Sequence, residues 1–152
     1  YISVLDQEDV SLKFKTRVGY GDGFGDSDGL PFLKNFFAGG IRTVRGYKYN
    51  SLGPLDNKGE QVGGNVLMTG TAALQFPMPG IKETDQARLS LFSDAGQVYA
   101  DSAKLEDLRY SAGFAFAWMT PIGPLSFTYA SALNSESGDE TEGFQFSIGS
   151  AF

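Results

Sequence analysis

The chain has 152 residues, a net charge of −6, and neither Cys nor His. Those totals exclude a metal cluster built from thiolates and imidazoles, and the acidic balance argues against a nucleic-acid footprint. Thirteen Phe, seven Tyr and twenty Gly beside a mean hydropathy slightly below zero point to a β-rich chain with dispersed apolar residues, not a helical one. No run approaches the roughly 20 apolar residues of a membrane-spanning helix, and residues 1–20 lack the charged start and apolar centre of a signal peptide.

Residues 1–5 read as the tail of a strand, followed by a tight polar turn at Gln7, Glu8 and Asp9. From Val10 to Tyr20 the chain alternates. Val10, Leu12, Phe14, Val18 and Tyr20 fall on one face, and Ser11, Lys13, Lys15, Arg17 and Gly19 on the other. Period two means a strand with one apolar side. A connection of about 21–64 follows, too long for an ordinary loop and therefore functional by expectation. It carries Phe36-Phe37-Ala38-Gly39-Gly40 and then Val44-Arg45-Gly46-Tyr47. Loops are normally polar and exposed, so one this rich in aromatics and glycine is expected to fold back against something.

Residues 65–76 predict the next strand, with Val66, Met68, Ala72, Leu74 and Phe76 opposite Thr69, Thr71 and Gln75. Residues 87–99 alternate again. Leu89, Leu91, Ala95 and Tyr99 oppose Arg88, Ser90, Asp94 and Gly96, with Phe92 and Val98 as bulky exceptions on the polar face. At 108–119 the pattern is strongest, with Leu108, Tyr110, Ala112, Phe114, Phe116 and Trp118 alternating with Arg109, Ser111, Gly113, Ala115 and Ala117. A turn at 120–124 leads to Leu125, Phe127 and Tyr129, then an acidic loop at 134–143, and the chain closes on a strand at 144–152 ending in Phe152. Short connections on one side and long loops on the other are the signature of an outer-membrane barrel.

Other motifs have plainer explanations. Asp22, Asp26 and Asp28 lack the bidentate Glu of a calcium loop. Gly19-Tyr20-Gly21-Asp22-Gly23 precedes no helix whose N-terminus could hold a phosphate. Pairs such as Glu106-Asp107 and Asp139-Glu140 sit in acidic loops, where solvation accounts for them. No nucleophile has a base partner, so an enzyme is not expected, and no cofactor is called for.

Several blocks, in order, resemble the family of BamA and its relatives, the outer-membrane barrel insertases and transporters. They are Gly19-Tyr20-Gly21-Asp22-Gly23, the Gly39-Gly40 and Val44-Arg45-Gly46-Tyr47 blocks, Gly53-Pro54, Val62-Gly63-Gly64-Asn65, Asp94-Ala95-Gly96-Gln97-Val98-Tyr99, and the run from Trp118 through Leu125. The resemblance covers essentially the whole chain. It implies an all-β, antiparallel up-and-down transmembrane barrel, of which residues 1–152 form the C-terminal part, with about six complete strands plus a partial one. It also implies that the long loop tucks inside, the tetrad arginine Arg45 meeting lumen-wall groups at Asp94 and at Gln75, where the family pattern has a glutamate. The last strand, with Phe144, Phe146, Ile148, Gly149 and Phe152, would form one side of a lateral seam, Gly149 permitting a kink and Phe152 lying on the periplasmic side.

The implied function is assembly and insertion of β-barrel proteins into the outer membrane of a Gram-negative bacterium. The implied partners are membrane lipids, unfolded outer-membrane proteins, assembly-complex lipoproteins, and the remainder of the barrel with its periplasmic domains. A sister transporter that secretes a partner polypeptide and a soluble β-sandwich binding module are the alternatives. Detergent dependence and heat-shifted gel mobility are expected of either barrel and not of the sandwich.

Overall fold

Alternation over five stretches of ten residues or more decides the architecture, because each such stretch must show one face to lipid or a core and the other to water. The computed structural model describes residues 2–7, 10–22, 34–78 and 86–149. A single antiparallel sheet is assembled from β1 (Ile2–Gln7), β2 (Val10–Tyr20), β4 (Val66–Pro77), β5 (Ala87–Tyr99), β6 (Arg109–Thr120), β7 (Gly123–Ala132) and β9 (Phe144–Ile148), neighbours in that order. β3 (Gly46–Tyr47) and β8 (Thr141–Glu142) make a separate two-stranded pair. One turn of 3-10 helix lies at Leu105–Asp107.

Registers are continuous. Ser11 on β2 lies opposite Gln75 on β4, Gln75 opposite Ser90 on β5, Ser90 opposite Ala115 on β6, Ala115 opposite Thr128 on β7, and Thr128 opposite Gln145 on β9. All six are buried. This row is short or polar from β2 to β9, and it is on the side against which the long loop lies. The opposite face carries the large side chains. Tyr110, Phe114 and Trp118 remain 41%, 53% and 44% exposed, so they do not enter a protein core. Phe114 stacks with Tyr129 across the strand pair at 5.7 Å between centroids, and Phe116 with Phe127 at 6.4 Å. Such cross-strand aromatic pairs stiffen a sheet. Among the described residues no second sheet covers the aromatic face, which does not fit the sandwich alternative.

One expectation is revised in detail. The final strand was expected to run over nine residues, 144–152, of which 144–148 pair with β7; at Gly149 the backbone leaves the extended region at φ +81° while its N–H donates to Pro124 O at 2.8 Å. Phe152, and with it the aromatic end of the seam, lies outside the described residues. So do the proposed turn at Glu8 and Asp9 and the loop acids Asp26 and Asp28. The strand expected to be partial, β1, pairs with β2 through a register irregularity between Ser3 and Leu5.

An outward lysine in mid-strand therefore meets hydrocarbon. Phe114→Lys in the full-length protein is expected to lower unfolding free energy in lipid vesicles by about 2–4 kcal/mol, while Ala117→Ser on the inner face changes it little; urea titration of both checks the assignment of faces.

Candidate functional site

The tetrad sits where two demands meet: a loop must satisfy its backbone, and a charge leaving bulk water must find a partner. The Gly39-Gly40 pair turns the chain back on itself. Gly40 N donates to both Val44 O and Tyr47 O, at 3.1 and 2.9 Å, and Thr43 N returns to Gly40 O. The closed turn places four successive side chains against the inner wall.

Val44 is fully buried in a cluster with Ala38, Tyr47, Leu52, Leu67 and Val98. It approaches β5 at Gly96, where a Cβ would come within 2.7 Å of Val44 Cγ2. Glycine at 96 is thus a space requirement. Val98, anomalous in the sequence pattern, faces inward because it packs on this loop.

Arg45 reaches Asp94 with three hydrogen bonds. Nε donates to Oδ2 at 2.7 Å, Nη2 to Oδ1 at 2.7 Å, and the backbone N–H to Oδ2 at 3.0 Å. Both residues are buried, 5% and 1% exposed. The guanidinium carbon also lies 3.3 Å from the centre of the Phe92 ring. A planar fork fits a carboxylate bidentately and stacks on an aromatic face, which an ammonium cannot do in both respects at once. Phe92 is the second inward exception, and its function here is to floor the arginine. Gln75 lines the same cavity, but its Oε1 has no hydrogen-bond partner among the described residues. Asp94 is the carboxylate that Arg45 holds bidentately.

Gly46 takes φ +88°, and a Cβ there would lie 3.2 Å from Ala130 Cβ, so the position requires glycine both for conformation and for approach to β7. Tyr47 is fully buried, its hydroxyl directed at Tyr110 O (3.3 Å) and Asn134 Oδ1 (3.5 Å). Burial, reinforced by Asp139, raises its phenol above the ordinary 10.0.

The loop is also tied to the far end of the sheet. Gly46 and Tyr47 pair with Glu142 and Thr141, Lys48 N donates to Glu140 O at 2.8 Å, and Gln145 Nε2 on β9 donates to Tyr47 O at 2.7 Å. Lys48 Nζ contacts the Glu140 carboxylate, which raises the ammonium above its ordinary 10.5. Above this, Arg109 bonds Asp139 and Glu136, at 2.5 and 2.9 Å, and braces the acidic loop. Sequence reading missed Gln145, Asn134, Glu140 and Arg109. Only Phe92 and Val98 carried a visible signal, as bulky residues on a face otherwise small.

Phe144, Phe146 and Ile148 point outward and are exposed. They stand opposite Tyr129, Phe127 and Leu125 on β7, and β9 has no strand on its other edge among the described residues.

An apolar-outside, polar-inside antiparallel wall with a loop fixed on its inner side defines a membrane β-barrel segment with a lumen-held loop. The Omp85 superfamily domain matches residues 1–152, and the chain belongs to that superfamily. It is 39% identical to the outer membrane protein assembly factor BamA of Neisseria meningitidis serogroup B, over 93% of this chain and 22% of that protein. Against the same-named protein of Neorickettsia risticii it is 31% identical over 100% of this chain and 21% of that one. The crystal structure of BamA from Haemophilus ducreyi lacking POTRA domains 1-3 superposes with a TM-score of 0.81 and 30% identity, covering 91% of this chain and 31% of that one. The chain spans about a fifth of the length of these curated relatives.

Breaking one side of a buried, hydrogen-bonded ion pair costs about 3–5 kcal/mol. Arg45→Ala is expected to free the loop, read as faster protease cleavage within 36–54, and Arg45→Lys to restore protection only in part; unchanged cleavage in both would show that the loop is held elsewhere. Tyr47 and Lys48 carry raised values in the docked state, so their contribution is complete below about pH 10 and is lost as pH rises through those values. Ultraviolet titration of wild type minus Tyr47→Phe should show a phenolate forming above 10.0; a midpoint at or below that value would contradict the buried placement.

Proposed function

We propose that this wall segment serves, within its full-length protein, to assemble and insert β-barrel proteins into the bacterial outer membrane. The single observation that carries the reading is the state of β9. Among the described residues it is held to β7 by five register pairs, has no strand on its other edge, and is bonded through Gln145 and the β3–β8 pair to the loop that Arg45 contacts. Unpaired backbone groups in hydrocarbon cost several kcal/mol each, which is why barrels close. A seam at β9 would place that cost where an incoming strand can relieve it by pairing with the edge.

On this reading the work is strand exchange, not covalent chemistry, and no residue acts as a catalytic acid, base or nucleophile. Lipids contact the aromatic face. Unfolded barrel proteins are the substrates, and assembly lipoproteins, the periplasmic domains and the rest of the barrel complete the machine. The acidic loops 100–107 and 134–143 would lie on the outer side, with the end of β9 toward the periplasm. The Neisseria and Neorickettsia relatives, named as outer membrane assembly factors, support this reading.

The absence of Cys within the chain makes the seam accessible to a clean test. Ile148→Cys, paired with a cysteine on the first strand of the full-length barrel, should abolish insertion of a barrel substrate into proteoliposomes when oxidised and restore it on reduction. Insertion that continues with the seam locked would sink the proposal.

A further inference from the structure

The inner face of β2 is charged where most of the inner wall is small or neutral. Lys13, Lys15 and Arg17 occupy successive inward positions, opposite Ala73, Thr71 and Thr69 on β4. Arg42, at the exposed tip of the docked turn, lines the same cavity of about 670 Å³. Besides Arg45, four cations therefore line one space in a chain of net charge −6. Asp94, on β5 beyond β4, is engaged by Arg45.

Two buried neutral side chains also line the cavity. Gln75 is 8% and Ser126 1% exposed, and neither Gln75 Oε1 nor Ser126 Oγ has a hydrogen-bond partner among the described residues. Buried polar atoms are ordinarily satisfied, by protein or by water. A carbonyl oxygen seeking a donor is wrong for a bare oxyanion, which has only acceptors. It suits a polypeptide, which brings N–H groups together with any carboxylates.

We propose that this cavity receives an extended polypeptide segment bearing acidic side chains at alternate positions. The proposal rests on the function above, since it specifies a class of polypeptide the lumen would engage. Spacing supplies the match. Inward positions of a strand recur every two residues, about 6.6–6.8 Å, so the cation ladder of β2 has the repeat of a second strand lying along it. Barrel strands alternate lumen-facing polar with lipid-facing apolar residues, so a strand with acids on its polar face offers carboxylates at that repeat. Charge pairing of this kind also raises the rate of encounter.

The test uses the full-length protein in detergent and a labelled short peptide with Glu at every second position and Val between, followed by fluorescence anisotropy. The Glu peptide is expected to bind about tenfold more weakly to the combined Lys15→Gln, Arg17→Gln, Arg42→Gln variant than to wild type. Its Gln counterpart should bind both poorly, and a Lys15→Arg, Arg17→Lys variant should retain binding, which separates lost charge from lost fold. Equal affinity of wild type and triple variant for the Glu peptide would overturn the proposal. So would displacement of the peptide by inorganic phosphate at matched charge, which would mark a mere anion sink. A photocrosslinker replacing Arg42 that captures the protein's own barrel instead of the peptide would overturn it as well, by assigning the cations to wall closure. Peptide binding involves no insertion step, so its failure is distinguishable from failure of the seam-locking experiment.

Discussion

The arrangement depends on a buried arginine meeting a buried carboxylate on the inner wall of a barrel. Neither Arg45 nor Asp94 could be dehydrated alone without a cost of several kcal/mol. Together they satisfy one another through two side-chain hydrogen bonds and a third from the backbone, with the Phe92 ring beneath the guanidinium. Geometry this specific fixes the tetrad in one register. A shift by a single residue would drive Val44 away from the space over Gly96 and carry Gly46 away from Ala130, where only glycine fits.

That interaction is possible because the inner face of the sheet is built from short side chains. The row from Ser11 through Gln75, Ser90, Ala115 and Thr128 to Gln145 runs across six strands without one bulky residue. Asp94 itself lies opposite Thr71 on one side and Ser111 on the other, which leaves room for a guanidinium to enter. The large residues are displaced to the outer face, where Phe114, Tyr129, Phe116 and Phe127 stack in pairs. Bulk outside and space inside are two consequences of one alternation, and together they turn a sheet into a lumen wall.

The long strands were legible because period two repeats often enough to be unmistakable. β2 and β5 were read at their observed bounds, and β4 and β6 within a residue of theirs. β9 begins where it was read, at Phe144, and its expected run is interrupted at Gly149, where the backbone turns to φ +81°. β3 and β8 were invisible: two residues carry no period, and their pairing joins positions nearly a hundred apart in sequence. Position 94 could be placed on the polar face by counting, and its pairing with Arg45 came from family resemblance. Gln145 and Asn134 gave no signal at all, because an amide that caps another segment's carbonyl or amide resembles any solvated polar residue. The phases of Phe92 and Val98 were read correctly without a reason. The reason lay on the loop, which no periodicity describes.

The same loop decides how firmly the last strand is held. Among the described residues β9 has five register partners on β7, whereas β6 and β7 share ten. Its further anchors run to the docked loop, through Gln145 to Tyr47 O and through the acidic loop at Glu140 and Thr141. Arg45 supports those anchors together with the buried Val44 and Tyr47, which hold the same loop on the wall. On the proposed function, docking of the loop and retention of β9 are linked equilibria, and linkage is reciprocal. Whatever favoured an undocked loop would then lower the cost of parting β9, and a strand that paired with the edge of β9 and drew it outward would weaken docking by the same free energy.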